Sequence, residues 1–412
     1  MNPPRDTRST PSRSSMPLGL LAGIALLAAG GPLGTDMYLS TLPAIARDLD
    51  AADAVTQLSI TAFMLGMGVG QVVVGPVSDR VGRHRLLVVG AVAGVVGSIA
   101  CALSPHIGVL ILARLVQGAA GGTGVVLGRA VIADLVSGAA AARAFSVMML
   151  IIGLGPVAAP VIGGVLGGAV GWRGIFALLA VVAVGQLAVA WRMPESLPPE
   201  RRYGGSLGMT YRRMGQLLAR RAFMGQALCF ALGFGTMFSF ISGSSFVMQE
   251  QLGLSPLGFS LVFAVNAAAL IVGNVVTMRI VGRTGPRVLQ TVAMGLQVVG
   301  VVALLLVALS HPGPGGGSVA AVLACTLVVT LGSSLNFGNT TSIAQGMAAD
   351  RAGAASAVLG GVQFLVAGIV SPLVGLGEDT LLTMAVVMAV CSAGAVSGVV
   401  LSRTARESRE SR

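Results

Sequence analysis

Two ionisable residues stand inside long apolar stretches of this chain, Asp36 and Arg114. A carboxyl group held in hydrocarbon can take up and release a proton; an arginine there stays charged. Burial and a neighbouring arginine act on the proton equilibrium of an acid in opposite senses. The pair is therefore suited either to proton exchange at Asp36 or to a fixed structural ion pair. Seven residues separate Asp36 from Pro43 and Arg114 from Ile107, the expected ends of two spans on one face. At about 1.5 Å per residue each lies about 10 Å deep, so the two share a level.

The elements that must position them are apolar helices. Of 412 residues, 54% are hydrophobic and 10% charged, against about 25% charged in a soluble domain. Too little charge is present to cover a water-facing surface of this size. A crossing helix needs about 20 apolar residues, and twelve segments meet that need. The first six run 18–43, 56–75, 86–103, 107–132, 144–165 and 172–191; the second six run 222–246, 258–278, 288–309, 319–341, 354–376 and 380–401. The sequence thus predicts an all-α polytopic membrane protein. It has a tail (1–17), a six-helix bundle (18–191), a polar linker (192–221), a second six-helix bundle (222–401) and a second tail (402–412). Residues 5–13 with the apolar run behind them read as a tail and a retained helix rather than a cleaved leader.

All 26 basic residues are arginine, and the formal net charge is +11. They punctuate the spans and form no continuous patch, which argues against nucleic-acid binding. The two tails, the linker, and the turns with Arg80, Arg83, Arg85, Arg143, Arg279, Arg283, Arg287 and Arg351 fall on one side. Arg47 and Arg173 fall on the other, with Asp48, Asp50, Asp53, Glu250, Glu378 and Asp379. By the positive-inside rule both termini and the linker are cytoplasmic. Two equal halves about such a linker suit a pseudo-symmetric transporter with its site near the midplane. Residues 278–283 faintly echo residues 78–83.

The turn from Gly75 to Arg85 carries a further cluster. Gly75 and Gly82 permit a tight turn, and Asp79 is placed to accept N–H groups at a helix N-terminus. Arg80, Arg83 and Arg85 are placed to latch onto the opposite half, or simply to form a solvated topogenic loop. In the fifth span, Gly155, Pro156, Pro160, Gly163 and Gly164 predict a bent helix with a flat packing face. Met37, Tyr38, Phe238, Phe240, Asn266, Asn336, Phe337 and Gln363 are candidates to line an apolar pocket, with helix packing as the alternative for each.

Other chemistries lack residues. No lysine exists for a phosphate-binding loop. Cys101, Cys229, Cys325 and Cys391 stand singly, and His84, His106 and His311 fall in loops without metal-ligand spacing. No metal and no cofactor is expected.

The turn 75–85, the string Leu110–Gly118 around Arg114, and Gly155–Gly164 together resemble three signatures of the major facilitator superfamily, the last of them typical of antiporters. Thr35–Leu39, Ala133–Leu135, Ala159–Gly164, Pro194–Arg202 and Met237–Phe240 are similar to the bicyclomycin/chloramphenicol-resistance (Bcr/CflA-type) drug:proton antiporters. The resemblance runs from Leu18 to the last helix. It implies the major facilitator fold in a bacterial inner membrane and drug efflux by alternating access. It further implies proton coupling through Asp36 with Arg114, and state-latching through Asp79, Arg80 and Arg83. Some relatives carry a second acid in the first helix, where this chain reads Gly23–Ala28; neutral or weakly polar drugs are then the expected cargo. The expected partners are a small-molecule drug, protons and the lipid bilayer, with the protein acting as a monomer. A metabolite exporter or importer of the same fold is the alternative, and a transporter-shaped sensor a third.

Overall fold

A computed structural model describes residues 16–136, 138–202, 207–310, 318–348 and 352–410. Among them the chain is helical throughout, with no strand. The helices are α1 (Leu18–Asp36), α2 (Leu42–Asp48), α3 (Asp53–Val81), α4 (Arg83–Ala102), α5 (Ile107–Leu135), α6 (Gly138–Arg192), α7 (Leu207–Leu218), α8 (Arg221–Phe246), α9 (Pro256–Thr284), α10 (Pro286–Ser310), α11 (Val319–Gly346), α12 (Ala352–Val374) and α13 (Thr380–Glu410). Eleven helical stretches among the described residues are long and apolar enough to cross a membrane. Gly171, at φ 67°, divides α6 into two further pieces, which brings the crossing helices to twelve, in two six-helix halves.

The first span departs from its expected course. Pro43 has no N–H to give the carbonyl four residues back and its ring would crowd that carbonyl. The helix accordingly stops at Asp36, tightens into a 3-10 turn at Leu39–Thr41 and resumes as α2. Thr41 Oγ1 donates to the Tyr38 carbonyl (2.7 Å) and holds the turn. In α6 the backbone stays helical through Pro156 and Pro160, and the break falls at Gly171, between the expected spans 144–165 and 172–191. Leu207, Met214 and Leu217 lie on one face of α7, a helix inside the expected polar linker. Met214 and Leu217 pack with Phe223 and Val358.

Glycines set the spacing of the halves. A β-carbon at Gly118 of α5 would fall on the Phe63 carbonyl oxygen of α3, and one at Gly122 on the Met67 carbonyl. In the second half, Gly225 of α8 and Gly398 of α13 face each other's carbonyls at 2.5 and 2.6 Å from the added carbon. Such approach is how helices associate where lipid offers no hydrophobic drive. The antiporter-type glycines lie on two faces rather than one. Gly155 and Gly163 meet Pro32 and the Met37 carbonyl near the end of the first span, whereas Gly164 meets Ser260 of α9, across the boundary between halves.

The halves pack along α3 with α12 and α6 with α9, and polar contacts tie them at the arginine-poor end. Arg47 reaches Glu250 at 3.2 Å, Gln249 Nε2 donates to the Ser40 carbonyl at 3.0 Å, and Ser242 Oγ donates to Gln57 at 3.2 Å. Deeper, Thr61 Oγ1 donates to the Gly368 carbonyl at 2.9 Å. Gly118→Leu is expected to cost about 1–3 kcal/mol or to prevent folding. Gly295→Ala, which faces open space, is expected to match the wild type. Thermal unfolding in detergent compares them, and equal melting temperatures would refute the backbone seam.

Candidate functional site

A cavity of about 420 Å³ opens between the halves. Four aromatic rings, Phe230, Phe234, Phe238 and Phe364, wall it; Gln71, Gln345 and Gln363 supply amides. Two charges face it among the described residues, Asp36 and Arg129. An adjoining space of about 70 Å³ lies between Asp36, Phe240, Phe263, Asn266 and Thr330. Asp36 therefore stands in the partition between two spaces, at the point where α1 ends.

Of the pocket candidates, Phe238 and Gln363 line the main cavity, and Phe240 and Asn266 the small one. The remaining four do not line either. Met37 and Tyr38 are buried in the packed core of the first half. Asn336 is sealed in an amide and hydroxyl network, accepting from Thr340 at 2.6 Å. That network continues through Gln290 to Thr340 and Gln226. Phe337 sits behind the wall, edge-on to Phe230 at 5.8 Å. Helices built from small residues have no strongly polar face, so the spacing of these four did not reveal which way they turn.

Arg114 is fully buried. It lies at the level of Asp36, as the depth argument required, yet no ion pair joins them among the described residues. Its Nη1 donates to the Gly34 carbonyl at 2.8 Å and to Gln117 Oε1 at 2.6 Å. Its guanidinium lies 4.1 Å from the ring centres of both Tyr38 and Phe63, a cation–π arrangement on either side. Nε and Nη2 have no hydrogen-bond partner. Tyr38 and Ser59 share a hydrogen bond at 3.2 Å. Arg114 holds the carbonyl two residues before Asp36, so the acid sits near an incompletely neutralised cation without pairing with it.

Arg129 was overlooked in the sequence, although it lies inside the expected span 107–132. Its side chain is open to the cavity, and no ion pair or hydrogen bond holds it among the described residues.

The turn at Gly75–Arg85 is mostly helix. Gly75 and Pro76 lie within α3, which ends only at Gly82, with φ 107°. A β-carbon there would also press on the Glu195 carboxylate and, at 2.8 Å, on Arg202. Asp79 is thus near a helix C-terminus, not an N-terminus, and it pairs with Arg83 at 2.6 Å. Glu195, 112 residues on from Arg83, is what accepts from the α4 N-terminus, taking the N–H groups of Arg83 (2.9 Å) and His84 (3.4 Å). His84 belongs to the first turn of α4 rather than a loop. Arg83 Nε donates to Asp134 at 3.1 Å, and Ser196 Oγ donates to the same carboxylate at 3.0 Å. Arg83 is therefore bound within its own half, not to the opposite one; Arg80 and Arg85 are exposed. The chain after α6 folds back over this turn, a long-range contact no local pattern announces. The faint internal echo is also out of register, since Gly285 (φ 78°), not Gly282, ends α9.

The Major Facilitator Superfamily model matches residues 24–372. The chain belongs to that superfamily. It is 37% identical over 374 residues to the uncharacterized MFS-type transporter YdgK of Bacillus subtilis, covering 90% of this chain and 92% of that one. It is 29% identical to a bicyclomycin resistance protein homolog of Haemophilus influenzae, covering 87% and 90%. It is 30% identical to a chloramphenicol resistance protein of Pseudomonas aeruginosa, covering 70% and 67%. A peptide transporter of the POT family shares the fold, with a TM-score of 0.72 at 14% identity over 94% of each chain. The resemblance read from the motifs stands, and the fold and family are those of transporters.

Burial pushes the Glu195 carboxyl up, but the N–H groups of Leu197, Arg83 and His84, with Arg202, outweigh it and hold it below the usual glutamate range. A carboxyl depressed in the fold contributes stability above its ordinary value and loses it as pH falls through the folded value. Glu195→Gln should cost about 1 kcal/mol at pH 7, with the gap to wild type closing on acidification. Unfolding curves from pH 7 to well below the ordinary glutamate value check this; a gap that does not depend on pH would contradict it.

Proposed function

We propose that this protein is a proton-driven exporter of small, largely apolar, antibiotic-like molecules. It works by alternating access in a bacterial inner membrane, with both termini in the cytoplasm, as a monomer and without a resident cofactor. The observation that carries the reading is Asp36. It is the one carboxylate lining the cavity among the described residues, and it faces both spaces between the halves. The resistance proteins among the relatives support the cargo class.

In this reading the structure corresponds to the state open toward the arginine-rich, cytoplasmic end, with the contacts around Arg47 and Glu250 closing the other end. Asp36 gains a proton when the cavity faces outward and yields it inward. Neutral Asp36 costs little to enclose, whereas the carboxylate favours a wetted cavity. Arg114 fixes the field in which that change occurs; Tyr38 and Arg129 are the other titratable or charged groups near the path. Drug and proton then compete for the same site through its charge.

The remaining residues divide by role. Gly82, Asp79 and Arg83 brace the α3–α4 turn so that the first half moves as one body; Arg80 and Arg85 orient the chain in the membrane; Gly75 is a packing residue. Gly155 and Gly163 seat α6 against the first span, while Gly164 forms part of the seam that must open. Pro156 and Pro160 each leave one carbonyl of α6 without its helical donor, which eases flexing. Phe238, Phe240, Asn266 and Gln363 contact cargo.

Each pH unit across the membrane drives at most about tenfold accumulation per proton exchanged. Proteoliposomes given an imposed pH gradient and chloramphenicol should concentrate it with wild-type protein. Asp36→Asn should fall to the level seen without a gradient while remaining folded. Gradient-driven accumulation by Asp36→Asn would overturn the assignment.

A further inference from the structure

We infer that the cargo includes molecules with an anionic group, a carboxylate or a similar oxyacid, beside neutral ones, and that Arg129 receives that group. The inference rests on the transport reading of the cavity and concerns its substrate class. It widens the expectation of neutral or weakly polar cargo, which followed from the lack of a second acid in the first span.

Three observations place the site. Arg129 lines the main cavity, open to its interior. No carboxylate, carbonyl or hydroxyl among the described residues pairs with it. A guanidinium keeps its charge under all working conditions, so this one cannot serve as a proton carrier. It is a permanent cation at a depth where an unpaired charge is costly and marks a substrate path.

The wall is graded to match. Arg129 lies six residues before the end of α5, about 9 Å from the arginine-rich end. Gln345 and Ser356 share the lining there, near the start of α12 and the end of α11. Deeper come the rings of Phe230, Phe234 and Phe238, spaced four residues apart on α8. Helical side chains lean toward their own N-terminus, which on α5 tilts Arg129 inward, toward the rings. An aryl acid entering carboxylate-last would lay its apolar body on those rings and leave its oxygens between Arg129 and the amide of Gln345. An amine-bearing molecule would meet the cation first and be repelled. A planar, forked donor set suits a carboxylate, which accepts two parallel N–H bonds from one guanidinium. Export of an anion is also favoured by an interior-negative potential.

A matched pair of probes isolates the charge: 2-naphthoate and 2-naphthamide, alike in shape. Binding to purified wild-type protein is measured by calorimetry at pH 7, with size-exclusion profiles confirming the fold of each variant. Wild type should bind the acid about tenfold more tightly than the amide, the scale of one charge-assisted hydrogen bond. Arg129→Gln should erase that preference, and Arg129→Lys should restore part of it. Equal affinities in wild type, no binding of either probe, or a preference that survives Arg129→Gln would overturn the inference. Dependence of wild-type chloramphenicol efflux on the pH gradient is read separately. Loss of that dependence with the acid preference intact would sink proton coupling and leave this site standing.

Discussion

A guanidinium sealed away from water organises the first half of this protein. Arg114 sits on α5 and is clasped by groups from the elements around it. Gly34 of α1 offers its carbonyl. Tyr38, just after α1, and Phe63, on α3, give ring faces, and Phe176 of α6 lies at 5.7 Å. Gln117 relays the contact to Ser98 of α4 at 2.8 Å. Removing a charge from water costs several kcal/mol even after relaxation. Hydrogen bonds and ring faces offset part of that cost here, and two donor nitrogens remain unpaired. The helices are therefore held in one arrangement about a cation that is not fully neutralised, with Asp36 as the neighbouring acid.

The second half solves the same problem without charge. Gln226, Gln290, Thr340 and Asn336 bond to one another in its interior, and Gln297 bonds to Ser333 and to the Gly233 carbonyl. Neutral amides hold no proton to exchange, and Gln297 Oε1 and Asn336 Nδ2 stay without a partner. Charge chemistry is thus concentrated in the first half, and the second half contributes aromatic surface and amides. The asymmetry gives the halves different duties despite their shared outline: one holds the group that would sense protons, the other provides most of the apolar wall.

Rigidity and mobility are separated along the membrane normal. At the arginine-rich end, Asp79, Arg83, Asp134 and Glu195 knit α3, α4, α5 and the chain after α6 into one unit. At the arginine-poor end, the halves share apolar packing of α3 with α12 and α6 with α9, to which Arg47 with Glu250, Gln249 with Ser40 and Ser242 with Gln57 add polar links. Exposed ion pairs of the first kind contribute about 0–1 kcal/mol each. Such pairs add little to a seam held mainly by apolar packing, whereas carboxylates bound to helix ends and arginine forks fix the frame at the other end.

What the sequence alone determined is what the bilayer enforces locally. Apolar runs of about 20 residues, arginine-rich turns and an ionisable residue within a run are visible without neighbours, because hydrocarbon tests each segment on its own terms. Twelve spans, the division into halves and the shared level of Asp36 and Arg114 follow from that test. Arg129 was legible too, as a charge inside a predicted span, and was missed only because its span ended close by. Tertiary structure alone decided the partners. Glu195 reaches Arg83 across 112 residues, Arg83 closes on its own half, and Asn336 and Phe337 turn away from the cavity while Phe230 and Phe234 turn toward it. Those outcomes depend on where glycine lets two backbones meet, and the rotation of each helix is fixed only when its neighbour is in place.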